Sequence, residues 1–212
     1  MVFPIVGGTQ DTAYEIDNSL RFNDDDSAYL EKTFDAGDRK TYTWSGWVKR
    51  STLSTYQRLF SASDADDNEH LIFRNTDDLH FFSGDATADV KTNQLFRDVS
   101  AWYHIVLAVD TTDGTASNRV KLYLNGSQIT SLANSTYPSQ NADTGFNEAV
   151  AHSIGRSNSS GQYYDGYMSD VHFIDGQALA PTEFGETNDN GVWIPKKYTG
   201  SYGTNGFFLE FQ

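Results

Sequence analysis

The stretch DNEHLIF, residues 67–73, sets two acidic residues and an amide directly against an apolar run. Asp67 and Asn68 offer hard oxygen donors at a strand end, the donors that calcium collects in sets of roughly six to eight. Asp64 and Asp66 precede them, and Asp64-x-Asp66-x-Asn68 starts like a calcium loop. Glu69 stands where that loop needs its glycine, and Asn75 where it needs its closing glutamate. Two or three carboxylates, Asn68 and a backbone carbonyl supply about four or five ligands, short of a full shell. The expectation is a solvated acidic loop that takes no cofactor, or at most calcium, weakly. A second place is GQYYDG, residues 161–166, where Tyr163 and Tyr164 stand beside Asp165. Aromatic faces with a carboxylate at a loop rim suit a sugar. The plainer reading packs one tyrosine under the loop and leaves the other as ordinary surface.

Residues for catalysis do not assemble. No H-E-x-x-H, G-x-S-x-G, P-loop or G-x-G-x-x-G occurs. The five histidines (70, 80, 104, 152 and 172) are scattered, each in or beside an expected strand. Cleaving a glycosidic bond on a β-sandwich needs carboxylates on one strand face, spaced E-x-D-x-(x)-E. The one E-x-D is Glu15-Ile16-Asp17, and Ser19 or Leu20 holds the third place. The reading is that the chain is not an enzyme and has no catalytic residues.

These residues must be positioned by strands. The 212 residues contain 14 Phe, 12 Tyr, 4 Trp and 17 Gly, a composition of strands and turns. TYTWSGWVKR (41–50) alternates, with Tyr42, Trp44, Gly46 and Val48 on one face and Thr43, Ser45, Trp47 and Lys49 on the other. WYHIVLAVD (102–110) is apolar on both faces and reads as a central strand, with Tyr103, Ile105, Leu107 and Val109 turned to the core. RVKLYLNGSQIT (119–130) reads as a hairpin with Asn125-Gly126 at its turn and Leu122 and Leu124 inward. Further strands are expected at 19–22, 27–34, 58–63, 70–75, 79–84, 151–155, 166–175 and 206–211. Residues 131–149 and 185–205 read as long packed loops, and 180–186 as one helical turn capped by Thr182. Trp44, Trp47 and Trp102 are expected to pack on the sheets rather than form platforms. One domain follows, an all-β sandwich of two antiparallel sheets over residues 16–212, with 1–15 as an N-terminal arm.

Charge and composition narrow the partners. Fifteen basic residues against 29 acidic ones give a net charge of −14, which disfavours nucleic acid and anionic membranes. The absence of cysteine excludes disulfides and thiol chemistry. MVFPIVGG carries no positive n-region and is interrupted by Pro4, so neither a signal peptide nor membrane insertion is expected. Work outside a cell would then require release by lysis or by another route.

YTWSGWVKR, RLFSAS, DNEHLIF, WYHIVLAVD, VKLYLNG, SIG and YDGYMSDVHFIDGQALAPTEF follow one another as in the concanavalin A-like lectin/glucanase superfamily. The order resembles its laminin G-like and pentraxin branch over about residues 16 to 211. The resemblance implies a concanavalin A-like jelly roll of two antiparallel sheets whose first and last strands, SLRF and FFLEF, are adjacent. It also implies a calcium role for Asp67 and Asn68, although IGRSNSSGQ lacks the acids of that family's facing loop and carries Arg156 instead. SLRFNDDDSAYL and TWSGWVKR are similar to lectin-like domains of marine tailed-phage virion proteins. That likeness implies a structural or surface component of a phage head, tail or fibre. Its partners would be other virion proteins or copies of itself, together with cell-surface glycans. The alternative is an extracellular carbohydrate-binding lectin module, calcium-dependent or not, serving attachment to glycans.

Overall fold

The computed structural model describes residues 14–62, 69–157 and 161–212. Strand β1 spans Leu20–Phe22, β2 Leu30–Thr33, β3 Thr41–Arg50, β4 Gln57–Ala62 and β5 Glu69–Phe73. Next come β6 (Asp78–Ser83), β7 (Ala88–Leu95), β8 (Tyr103–Asp110), β9 (Val120–Leu124), β10 (Ser127–Gln128) and β11 (Leu132–Thr136). The chain ends with β12 (Ala151–Ile154), β13 (Gly166–Asp175), β14 (Gly185–Thr187), β15 (Trp193–Pro195) and β16 (Phe207–Leu209). Helix among the described residues is limited to two short 3-10 turns, Ala116–Asn118 and Pro181–Glu183.

Two antiparallel sheets face each other. The first runs β1-β13-β3-β8-β9-β10, with β16 also on β13; the second runs β11-β7-β6-β5-β4-β12-β2. The expected all-β sandwich of two antiparallel sheets is what the chain forms. β1 pairs with residues 166–168 of β13 and β16 with residues 171–173, so the first and last strands lie end to end along one neighbour. Period-2 alternation places Ile105, Leu107, Val109 and Leu122 in the buried core, while Tyr103 and Leu124 are partly buried at its rim. The second face of β8 is covered too, with His104, Val106 and Ala108 all buried. Asn125 (φ 46°) and Gly126 (φ 81°) form the tight turn between β9 and β10.

Three expectations fail for identifiable reasons. The 131–149 loop contains an edge strand, β11, which pairs with the unanticipated β7. β7 is easy to miss because Asp89 and Lys91 alternate with the small or short Ala88, Val90 and Thr92, a weak apolar signal. The 185–205 stretch contains the β14–β15 ribbon. The helical turn starts after Ala180 with no side-chain cap, and Pro181, not Thr182, sets its first residue.

A buried guanidinium ties the sheets at one end. Arg50, closing β3, donates to Gln57 Oε1 (3.0 Å), the Phe96 carbonyl (2.7 Å) and Asp77 Oδ1 (3.1 Å), and lies 4.8 Å from the Phe73 ring centroid. Asp77 also accepts from the Ser54 N–H and from Arg97. Removing one partner of such a pair strands the other charge out of water. Arg50→Ala is therefore expected to lower unfolding free energy by about 3–5 kcal/mol. Arg97→Ala, at the exposed side of the same carboxylate, should cost under about 1 kcal/mol. Urea unfolding of the two variants measures the contrast.

Candidate functional site

The outer face of the first sheet is roofed by the C-terminal segment. Phe184 and Tyr198 pack on Val106 and Ile174, and Thr43 Oγ1 donates to the Gln177 carbonyl while accepting from the Leu179 N–H. The roof stops short of one end of the sheet. A groove of about 660 Å³ opens there, with Tyr14, Trp47 and Trp102 as its aromatic residues and Glu15, Asp17, Asn18 and Asn188 as its carboxylates and amides.

Each wall has a local cause. Trp47 lies on the outward face of β3 and stacks on His104 (centroids 4.9 Å apart), which in turn stacks on Trp193. Trp193 Nε1 donates to His104 Nδ1 at 3.0 Å, so Nε2 bears the proton and donates to Ser45 Oγ at 2.9 Å. Burial, with the neighbouring His172, pushes His104 down to about 3, and the ring stays neutral. The ladder thus fixes Trp47. The 14–19 segment is held by Tyr14, whose hydroxyl donates to Asp170 at 2.7 Å, and by Ser169 Oγ donating to the Asn18 carbonyl. A bulge in β13 between Ser169 and His172 aims these groups, with Asp170 at φ 50°. Trp102 stands just before β8 and is 37% exposed.

The residues singled out by sequence fall elsewhere. Asp64, Asp66, Asp67 and Asn68 lie outside the described residues. Glu69, which closes that triplet, turns inward and accepts from Ser83 Oγ (2.8 Å) and the Asp85 N–H (3.2 Å). Gly145 makes room for it, since a Cβ there would fall 2.1 Å from Glu69 Cγ. Arg156 pairs with Glu31 and lies 3.6 Å over the Tyr29 ring. Among the described residues no three metal-ligating side chains cluster. Tyr164 is fully buried against Phe22, so its ring belongs to the core and is not offered at a rim. Asp165 is buried and bound by Arg21 (2.6 Å) and Thr52, which ties β1 to the turn after β3. Tyr163 remains partly open. Of the tryptophans expected to pack on the sheets, Trp44 is wholly buried and Trp47 stacks on His104, while Trp47 and Trp102 also line the groove.

Burial pushes the Glu69 carboxyl up from its ordinary 4.5 to about 8, against the opposing pull of its Ser83 and backbone hydrogen bonds. The folded state therefore holds a proton that the unfolded state releases between those two values. Stability contributed by protonated Glu69 is complete below about pH 4.5 and is lost as pH rises through about 8. Glu69→Gln should remove this dependence, so its stability relative to the parent chain should rise from pH 5 to pH 8. Paired denaturant melts across that range check the sign.

Comparison with known proteins fits this architecture. Residues 22–184 match a sequence family of laminin G type, described as the concanavalin A-like lectin/glucanases superfamily. No curated protein matches the sequence. Among solved structures, a Bacteroides ovatus protein whose name proposes carbohydrate binding aligns with TM-score 0.58 at 14% identity, covering 76% of this chain. The chain spans 44% of that protein's length. A heptameric SAP-like pentraxin from Limulus polyphemus aligns at TM-score 0.48 and 19% identity, covering 82% of this chain and 75% of its own. Domain 4 of an extracellular arabinanase from Geobacillus stearothermophilus, in complex with arabinotriose, aligns at TM-score 0.46 and 21% identity, covering 68% and 65%. At these identities the B. ovatus likeness speaks to fold alone. The match over most of its length, on two facing antiparallel sheets, makes this chain a member of the concanavalin A-like lectin/glucanases superfamily.

Proposed function

We propose that the chain is a non-catalytic carbohydrate-binding module that takes a neutral or amino sugar in the groove between Trp47 and Trp102. The groove itself carries this reading. A pyranose presents an apolar C–H face and a rim of hydroxyls, and the groove presents exposed indole beside carboxylates and amides that accept and donate. Its volume of about 660 Å³ suits one or two sugar rings. Glu15 and Asp17 repel acidic sugars, which selects for neutral and cationic ones. The fold likeness to a protein whose name proposes carbohydrate binding supports this reading. Non-catalysis is supported by the missing third carboxylate at Ser19 or Leu20. The acidic residues Asp64, Asp66 and Asp67 are proposed to take no part, so binding is calcium-independent.

The module's setting is proposed to be a virion, where it serves attachment and packs on other virion proteins or its own copies. The wording of SLRFNDDDSAYL and TWSGWVKR supports this setting. A free extracellular lectin is the competing one.

Trp102→Ala removes a half-exposed ring without touching the core, so the variant should fold normally. It is expected to bind the best ligand from a neutral and amino-glycan array at least about tenfold more weakly, the loss of one good stacking contact. A chelator should leave affinity unchanged, and prolonged incubation should release no reducing ends. Undiminished binding by the variant would move the sugar elsewhere.

For the setting, mass spectrometry of purified phage particles whose genome encodes the chain should find it as a stoichiometric component. Detection only in the culture fluid would favour the free lectin.

A further inference from the structure

Glu15 and Asp17 stand on the rim of the tryptophan groove without a countercharge. Burial alternates along the segment, with Tyr14 and Ile16 half-buried and Glu15 and Asp17 exposed. Such alternation belongs to an extended chain, in which residues two apart project to one side about 7 Å from each other. Tyr14 is anchored on Asp170 and the Asn18 carbonyl on Ser169, so the two carboxylates are held side by side despite their repulsion. No lysine, arginine or histidine lines the groove among the described residues. On the same face of the sheet, Arg21 is engaged by Asp165, and Lys49, outside the groove, acts on Asp98.

The groove wall has a second unmet need. Trp47 is fixed by its stack on His104, yet its Nε1–H is buried and finds no acceptor. An N–H kept from water without an acceptor carries a cost that a ligand oxygen would remove. Trp102 adds an open indole face.

A ligand that meets all three must bring a cation, an acceptor and an apolar face on one rigid body. A metal ion brings only the first, and the described residues hold no cluster of three metal-ligating acids or histidines. An ammonium has three N–H donors, which two carboxylates and the amide oxygen of Asn18 or Asn188 can accept. An indole face attracts the same charge. On a pyranose the ammonium is joined to hydroxyl oxygens that accept and to a C–H face that stacks. A hydroxyl or an acetamide in its place leaves the paired carboxylates uncompensated.

We infer that the groove reads a free amine, taking an amino sugar with an unacylated ammonium in preference to its neutral and N-acetylated counterparts. This rests on the proposal that the groove binds a sugar. It makes Glu15 and Asp17 the residues that set specificity, with Trp47 Nε1 donating to a ring oxygen.

The test is calorimetric titration of the whole chain at mildly acidic pH, where the sugar amine carries its proton. Three oligosaccharides of equal length and linkage, built of glucosamine, N-acetylglucosamine or glucose, differ only in the substituent at C2. Spermidine and calcium serve as bare cations. The glucosamine form should bind at least about tenfold more tightly than the other two, and its advantage should shrink as salt rises. Glu15→Gln combined with Asp17→Asn alters two exposed side chains and should bring the three sugars to similar affinity. Trp47→Phe keeps a ring on His104 but removes the N–H, and should weaken all three. Equal binding of the three by the parent chain would overturn this inference and leave sugar binding in the groove intact. So would tighter binding of the glucose or N-acetylated form, spermidine or calcium matching the glucosamine form, or a double variant that keeps the preference. Binding of none of the three, or binding untouched by Trp102→Ala, would overturn both readings.

Discussion

The sandwich depends on one long strand pair locked at both ends. β3 and β13 run antiparallel from Gly166 opposite Arg50 to Asp175 opposite Tyr42. At the Arg50 end the guanidinium reaches across to Asp77 and the Phe96 carbonyl of the other sheet. At the far end Asp175 accepts from the Asp38 N–H, the Asn147 amide and the Asn205 N–H. Asn147 in turn accepts from the Asn205 amide and donates its own N–H to His152 Nε2. Between the two polar clamps the interior is aromatic, with Phe60 stacked on Phe146 at 4.9 Å and Phe34 on His152 at 3.9 Å. Hydrophobic burial supplies most of the driving force and is non-directional. The clamps are directional, and each buried member left without its partner would cost free energy, so they set how the sheets align.

This arrangement explains why the two grooves differ. β3 and β13 project Trp47, Ser169 and Asp170 outward on the first sheet, and the C-terminal roof covers the rest of that face. What remains open is an aromatic and acidic recess. On the second sheet Arg58, His70, His80 and Lys91 line a smaller recess. A chain of net charge −14 concentrates cations around itself.

Much of the fold was legible beforehand. The alternation in 41–50 and 102–110, the Asn125-Gly126 turn and the ordered motifs foretold two antiparallel sheets, because a period of two is a local property of the backbone. β7 and β11 were not legible, since a strand of alternating charge with small residues takes its stability from its neighbours. The tyrosines and aspartate of GQYYDG had the right chemistry for a sugar rim, yet Tyr164 points into the core and Asp165 is spent on Arg21 and Thr52.

What the sequence determined by itself was the strand content, the sandwich class and the absence of a glucanase carboxylate set, all of which rest on residues close along the chain. Where each face is open was decided only by tertiary structure. Glu15 and Asp17 meet Trp102 because a bulge in β13 holds the 14–19 segment beside β3. Arg58, His80 and Lys91 meet because strand register aligns residues far apart in the chain. Register is set by which faces can be buried and how the clamps close. A site built across strands is therefore invisible to spacing along any one of them.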